Sequence, residues 1–342
     1  MLLSGKKITQ RDIADHMGLS QEAVSKALRD APDISAALKK KVLETAQKLG
    51  YRKNRLARSL VEGKSGLIGV YIPAFSGTFY SGIIDGIESV LSQNNYKMLF
   101  SKWNTDPGKF ESDINSLIEL QAEGLILFPQ SPFNEDNNSA QHIAQSGGNV
   151  IFVDKEMQNP RLCSINTDAL SGFREMLAYL EGMGHQRFLF GSICENKIFM
   201  PGIMQRKKYF EKAIAEKKSL RLVHSIIAEN NSHFEKQLLA FLHTNSGISC
   251  IIGQSDFEAM HIIKILQNNG IRVPQEISIT GFHDSLPFAD EMSIPLTTLG
   301  FSSINFGMKT AEMLMARMHG QKTEKRVLVP MTLHVRKSVE KK

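Results

Sequence analysis

From Ile8 onward the apolar positions keep a helical period: Ile8, Ile13, Ala14 and Met17 share one face, and Thr9 with Asp12 three residues later forms a capping pair that starts a helix. Gly18-Leu19-Ser20 interrupts the period with a turn glycine and a good N-cap, and a second helix follows over Gln21 to Leu28. A third stripe, Leu38, Val42, Leu43, Ala46 and Leu49, predicts a last helix ending near Gly50 and completes a three-helix bundle. Ala14, Gly18 and Val24 occupy the three positions a helix-turn-helix constrains: the small residue at the crossing, the turn glycine, and the β-branched residue packing the second helix on the first.

Past residue 66 the pattern changes to short apolar runs alternating with amphipathic stretches. Strands are predicted at Leu67 to Pro73, Tyr96 to Phe100, Gly124 to Phe128, Asn149 to Val153, Phe188 to Gly191, Leu222 to Ile227, Cys250 to Gly253 and Ser278 to Phe282. Helices such as Ile83 to Gln93 and Phe173 to Met183 lie between them. Strands apolar on both sides with helical crossovers imply parallel sheets covered on both faces. Four strands before residue 163 and four after it suggest two similar lobes. The fold class expected is an all-α helix-turn-helix head plus an α/β domain of two doubly wound parallel-sheet lobes.

Charge sharpens this division. The chain of 342 residues has a net charge of +6, yet residues 1–65 hold 14 Lys and Arg against 7 Asp and Glu, so the basic excess lies in the head alone. Such a segment suits counterion release at a phosphate backbone. The longest apolar runs are strand-sized, far short of the roughly 20 residues of a membrane span, and no leader-like stretch precedes the first helix, so a cytoplasmic protein without membrane contact is expected. Cys163, Cys194 and Cys250 are too widely spaced for a disulfide framework or a metal knuckle, and read as reduced thiols. Gly63-Lys64-Ser65 is no phosphate loop, because Arg58 stands where the first glycine is required and the string precedes the first strand. With no nucleophile elbow, no dinucleotide fingerprint and no metal spacing among the 10 histidines, neither an enzyme nor a cofactor nor a metal is implied.

The strings Ile-Thr-Gln-Arg-Asp-Ile-Ala, Gly-Leu-Ser, Val-Ser-Lys-Ala-Leu, Leu-Gly-Tyr, Asn-Arg-Leu-Ala-Arg-Ser-Leu and Leu-Ile-Gly-Val, in this order between Ile8 and Ile72, resemble the lactose-repressor/galactose-repressor (LacI/GalR) family of bacterial transcription regulators. The resemblance continues in Gly-Met-Gly-His-Gln-Arg-Phe (182–188), Gly270 to Pro274, Gly-Phe-His-Asp (281–284) and Pro-Leu-Thr-Thr (295–298). It implies a periplasmic-binding-protein-like (type I) sensor with ligand in the cleft between lobes, at the carboxyl ends of the strands. The corresponding divisions are 1–52 for the head, 53–65 for a hinge helix and linker, and 66–342 for the sensor, with one lobe at 66–162 and 294–323 and the other at 163–293 and 324–342.

The resemblance also assigns roles. Gln21, Glu22 and Lys26 would face base edges in the major groove, with Thr9, Ser20 and Ser25 near phosphate. Asn54, Arg55 and Arg58 would anchor the hinge, and Leu60 would wedge into the minor groove at the operator centre. Ala23 and Lys53 stand where the family usually has Thr and Pro. The effector cleft would hold Phe79 and Tyr80 as stacking residues, Asp154 as an acceptor, Arg206 as the cationic clamp, and Asp256 and His283 from the second lobe. His283 replaces an Asp of many sugar-responsive members, and either contacts ligand or pairs with Asp284; Ser255 replaces a usual Asn. The function implied is repression at a palindromic operator by a homodimer, under control of a small molecule such as a sugar or sugar phosphate. The tail after Val335 has no heptads, which argues against a tetramer built on a coiled coil. A transport-type solute-binding protein is the alternative, which the head and the missing leader disfavour.

Overall fold

The computed structural model describes residues 8–51, 64–73, 78–102, 109–129, 148–157, 159, 161–193, 201–286 and 290–342. The chain forms two compact units, Met1–Ser65 and Gly66–Lys342.

In the first unit, helices α1 (Gln10–Met17), α2 (Gln21–Leu28) and α3 (Ala36–Lys48) follow from their caps. The Asp12 amide donates to Thr9 Oγ1 at 3.3 Å while the Thr9 amide donates to Asp12 Oδ2 at 2.7 Å, a reciprocal capping box. Gly18 takes φ 65°, a left-handed turn that a side chain would strain, and Ser20 and Ser35 accept from Ala23 N and Leu38 N to open the next two helices. Ile13, Ala14, Val24, Ala27, Leu28, Val42 and Ala46 make the core. Leu43, expected on the buried stripe of the third helix, is 49% exposed, because its neighbours Val42 and Ala46 already supply the face that meets α1 and α2.

The second unit contains, in chain order, β1 (Leu67–Ile72), α4 (Thr78–Gln93), β2 (Lys97–Lys102), α5 (Lys109–Glu119), β3 (Gly124–Leu127), β4 (Val150–Val153), β5 (Cys163–Thr167), α6 (Ala169–Gly182), β6 (Arg187–Ile193), α7 (Pro201–Ala215) and β7 (Arg221–Ala228). Then follow α8 (Asn231–Thr244), β8 (Cys250–Gly253), α9 (Asp256–Asn268), β9 (Ser278–His283), β10 (Thr297–Gly300), α10 (Ser303–Met318), β11 (Arg326–Val329) and β12 (Thr332–His334). The strands form two six-stranded sheets, β11-β5-β4-β3-β1-β2 and β12-β10-β9-β8-β6-β7, in which every neighbouring pair is parallel save antiparallel β10 and β12. Each sheet is covered on both faces. Ile83, Ile87, Leu91, Phe306 and Leu314 pack one side of the first, and Ile114, Leu117, Phe152 and Met157 the other. The second is sandwiched between Phe173, Met176 and Phe210 and, opposite, Phe234, Leu238, Ile262 and Leu266. No described helix is long and apolar enough to cross a membrane.

The sequence pattern misses four strands, β5, β10, β11 and β12, and this displaces the expected lobe boundaries. β5 and β11 belong to the first sheet and β10 to the second, so the chain changes sheets after residues 167, 300 and 329, later than the expected 162, 293 and 323. β5 and β10 are short and rich in Ser, Thr and Asn, which alternation of apolar residues does not reveal, and β11 and β12 are only four and three residues long. β5 and β10 are nevertheless buried, and around β10 the hydroxyls find partners: Thr298 donates to Asp256 Oδ1, and Ser338 beside it donates to the Ile279 carbonyl, whereas β11 and β12 are exposed or half-buried.

Helices α4 and α10 cross at glycines. A Cβ on Gly86 would lie 2.0 Å from the Ile304 carbonyl oxygen, and one on Gly307 would lie 2.1 Å from that of Ile83. This close approach fixes the N-terminal turn of α4, which carries Phe79 and Tyr80, against the segment following Phe301.

Candidate DNA interface and effector cleft

The head presents α2 with Gln21 and Glu22 exposed and Ser25 and Lys26 half-buried. Thr9 and Ser20, expected near phosphate, also open α1 and α2 as caps, and such residues set the first amides of each helix. Lys26 does not stand alone. Its Nζ lies 2.9 Å from Asp33 Oδ2 and 3.3 Å from Glu22 Oε1, and these carboxylates, Asp33 foremost, hold the lysine pKa above its ordinary value. Asp33 was not singled out by its sequence; only its seven-residue distance from Lys26 across a Pro-containing turn hints at the contact. Asn54, Arg55, Arg58 and Leu60 lie outside the described residues.

In the second unit, residues following strand ends of both sheets meet. Arg206, on the second turn of α7 and only 7% exposed, donates from Nη2 to Asp154 Oδ2 at 3.3 Å and from Nη1 to the Gln254 carbonyl at 3.4 Å. Its guanidinium carbon sits 4.8 Å from the Phe282 ring centroid. Asp154 directly follows β4 of the first sheet and Gln254 directly follows β8 of the second, so this one side chain ties the sheets' carboxyl ends together. Burial raises the Asp154 pKa, opposed by the arginine charge. A second tie is aromatic: the rings of Phe79 and His283 stack with centroids 4.0 Å apart and 25° between planes, and Tyr80 and Phe301 meet Phe79 edge-on. Burial, and then the Arg206 charge, push the His283 pKa well down, so this imidazole is neutral at physiological pH and offers one donor and one acceptor. Burial raises the Tyr80 pKa, keeping its hydroxyl protonated. A third tie runs from α7 to the segment after β4: Tyr209 Oη donates to Glu156, and the Glu156 amide donates to Gln205 Oε1 at 3.4 Å.

Backbone strain gathers at the same place. Asp154, His283 and Asp284 have φ of 56°, 104° and 51°, a region glycine favours and L residues adopt at a cost of about 1–3 kcal/mol each. All three directly follow or end strands β4 and β9.

Five of the six expected cleft residues, Phe79, Tyr80, Asp154, Arg206 and His283, thus come together. Asp256 is bound differently: its Oδ2 accepts from Ser285 N at 2.6 Å and Ser285 Oγ at 3.1 Å, and Oδ1 from Thr298 at 2.5 Å, so it staples α9 to β10 and the loop after β9. His283 does not pair with Asp284, whose carboxylate is taken by Arg336 Nη1 at 2.7 Å with His334 at 3.7 Å. Ser255 caps α9, accepting from the Phe257 amide at 3.2 Å. Gln254, whose side chain accepts from buried Ser192, and the linking residues Glu156, Gln205 and Tyr209 escaped the sequence reading, although Gln254 occupies the strand-end position that such sheets reserve for ligands.

Burial lifts the Asp256 pKa to about 6 from 3.8. Between those values the folded chain retains a proton that the unfolded chain releases, so this group's contribution to stability falls as pH rises through the window, by up to ~3 kcal/mol. Asp256→Asn is expected to flatten the dependence of Tm on pH between 4 and 6 relative to the unsubstituted protein; identical slopes would assign the titration to another group.

Residues 9–54 match the model of the bacterial regulatory proteins of the lacI family, and residues 177–339 that of a periplasmic binding protein-like domain. Catabolite control protein A of Staphylococcus aureus strain Mu50 is 25% identical over 279 residues, 81% of this chain and 83% of the relative. The same protein of Priestia megaterium is 25% identical over 282 residues, with the same coverage. Among solved structures, the lac repressor dimer bound to operator and the anti-inducer ONPF superposes with a TM-score of 0.87 over 98% of this chain and 100% of that one, at 22% identity. The transcriptional regulator CelR in complex with cellobiose gives 0.66 over 97% and 100%, at 19% identity. With residues 9–54 matched to the regulatory family and residues 177–339 to the binding-protein-like domain, the chain belongs to the LacI/GalR family of DNA-binding transcription regulators.

Proposed function

We propose that this regulator is a repressor that binds a palindromic operator as a homodimer, reading base edges with Gln21, Glu22 and Lys26, and that a small-molecule effector held in the cleft of the second unit controls that binding. The observation that carries the sensor half is the junction of Arg206, Asp154, Phe79 and His283 at the carboxyl ends of two parallel sheets, where ligands of such folds are held. A buried arginine beside a carboxylate and aromatic faces suits a sugar or sugar derivative, including a phosphorylated one: the guanidinium donates to ring oxygens, hydroxyls or an anionic group, while aromatic rings cover the apolar face. The similar structures solved with the anti-inducer ONPF and with cellobiose lend support. Asn54, Arg55, Arg58 and Leu60 act at the operator centre, Leu60 as the wedge, and Thr9, Ser20 and Ser25 anchor the head to phosphate. No cofactor or metal takes part, and the protein works in the cytoplasm on DNA. Ligand acts by differential affinity for two arrangements of the lobes, and so changes the fraction of protein competent for operator.

A transport-type solute-binding role would use the second unit alone and leave the head without purpose. The deciding experiment is selection of host genomic fragments on the purified full chain at physiological salt. A shared palindrome with a flexible central step, beside genes for catabolism or transport, is expected. Retention of fragments without any common motif would refute operator recognition.

A further inference from the structure

Lys26 is the residue of α2 best suited to guanine, and its surroundings are unusual for a DNA-facing lysine. An ammonium group has three N–H donors and no acceptor. Two carboxylates flank it: Glu22 one turn earlier on the same helix, and Asp33 from the turn between α2 and α3. That turn is not free to drift. The Ala31 amide donates to the Lys26 carbonyl at 3.0 Å, the Ile34 amide to Ala31 at 3.3 Å, Ile34 packs on the head core, and Ser35 caps α3. Asp33 therefore offers its carboxylate from a fixed backbone.

The charges decide what such a lysine can read. A lone lysine on the docking face follows the phosphates as a mobile point charge. Flanked by two carboxylates, Lys26 sits in a group with a net charge of −1, which the phosphate backbone repels. Base edges remain. Guanine presents only acceptors, O6 and N7, in the major groove, and its partner cytosine presents the N4 donor. The third N–H of Lys26 meets the first and the Glu22 carboxylate meets the second.

We propose that Asp33 is a positioning residue for base readout, holding Lys26 beside Glu22 so that the two present a donor and an acceptor in fixed order to a guanine–cytosine pair or step in each half-site. This rests on the reading of α2 as the major-groove helix.

The test uses the full chain, a duplex library with randomised half-sites, and the salt dependence of affinity for the duplex selected. The unsubstituted protein is expected to fix guanine–cytosine at one position. Asp33→Ala should lower the preference for guanine there at least tenfold, leave the other positions unchanged, and steepen the plot of log affinity against log salt by about one per head as Lys26 swings to phosphate. Asp33→Glu should restore both. Thermal unfolding of each variant separates a folding defect, which would weaken all positions equally and overturn the proposal. Unaltered base preference and salt slope in Asp33→Ala would also overturn it, with operator recognition intact. A library from which the unsubstituted protein selects no shared half-site would overturn the reading of α2 itself, and this inference with it.

Discussion

Gly307→Ala will destabilise the sensor by about 2–3 kcal/mol, a fall in Tm of roughly 3–5 °C for a unit of this size. The new Cβ would stand 2.1 Å from the Ile83 carbonyl oxygen and 2.9 Å from its carbon. Both are backbone atoms of α4, so no rotamer change relieves the clash and the helices must separate. Separation strips contacts from Ile83, Ile87, Phe306 and Leu314, all buried at the same interface. Gly82→Ala is the matched control. Its Cβ would lie 2.1 Å from Ser303 Oγ, which can rotate away, and 3.0 Å from Ser303 Cβ, which needs a shift of only a few tenths of an ångström, so the cost should stay well below that of Gly307→Ala. Differential scanning calorimetry of the two variants measures the contrast; equal melting temperatures would mean that α4 and α10 are not locked through Gly307. The crossing bears on function because α4 delivers Phe79 and Tyr80 to the cleft, and a loosened α4 would move the aromatic wall before it unfolded the sheet.

Legibility of the fold tracks how each element is stabilised. Strands held by apolar burial, such as Val150–Val153 and Cys250–Gly253, stand out along the chain because all their residues are buried. Thr297–Gly300 is just as buried, but its stability comes from polar pairing, Thr298 with Asp256 and the Thr297 amide with Ser338, whose partners lie about 40 residues away in sequence and leave no local pattern. The same limit applies to the site. The resemblance placed Arg206 with Asp154, but nothing local marks Glu156 with Tyr209 as a pair, and only a seven-residue spacing across a turn hints at Lys26 with Asp33. His283 shows the reverse case: its neighbour Asp284 was the obvious partner, and the positive φ at both residues turns their side chains to different ones, Phe79 and Arg336. Leu43 lies about 100° around α3 from Val42, beyond the face that meets α1 and α2, so the expected stripe was one position too wide.

Arg206→Ala is expected to abolish the effector response. On the proposed reading the guanidinium supplies charge-assisted hydrogen bonds to the ligand worth about 1.5–3 kcal/mol, so the effector's Kd should rise roughly 10- to 100-fold. Among the described residues, two of its five N–H groups are engaged, by Asp154 and the Gln254 carbonyl, both at 3.3 Å or longer, and such loosely made bonds are readily exchanged for ligand. The substitution also leaves the Asp154 carboxylate in a buried setting without its cation, and that penalty is a stability effect to be separated from binding. Arg206→Ala combined with Asp154→Asn removes the orphaned charge: stability should recover while the response stays lost. Tyr209→Phe supplies the complementary case, because it cuts the link to Glu156 without touching the guanidinium. It should leave effector affinity within severalfold and instead shift the operator affinity of the ligand-free protein, since the link joins segments of the two sheets that must part when the lobes rearrange. Fluorescence anisotropy of the selected operator, titrated with a panel of sugars and sugar phosphates, reads all three variants. A full response in Arg206→Ala would place the effector elsewhere than at the carboxyl ends of these strands.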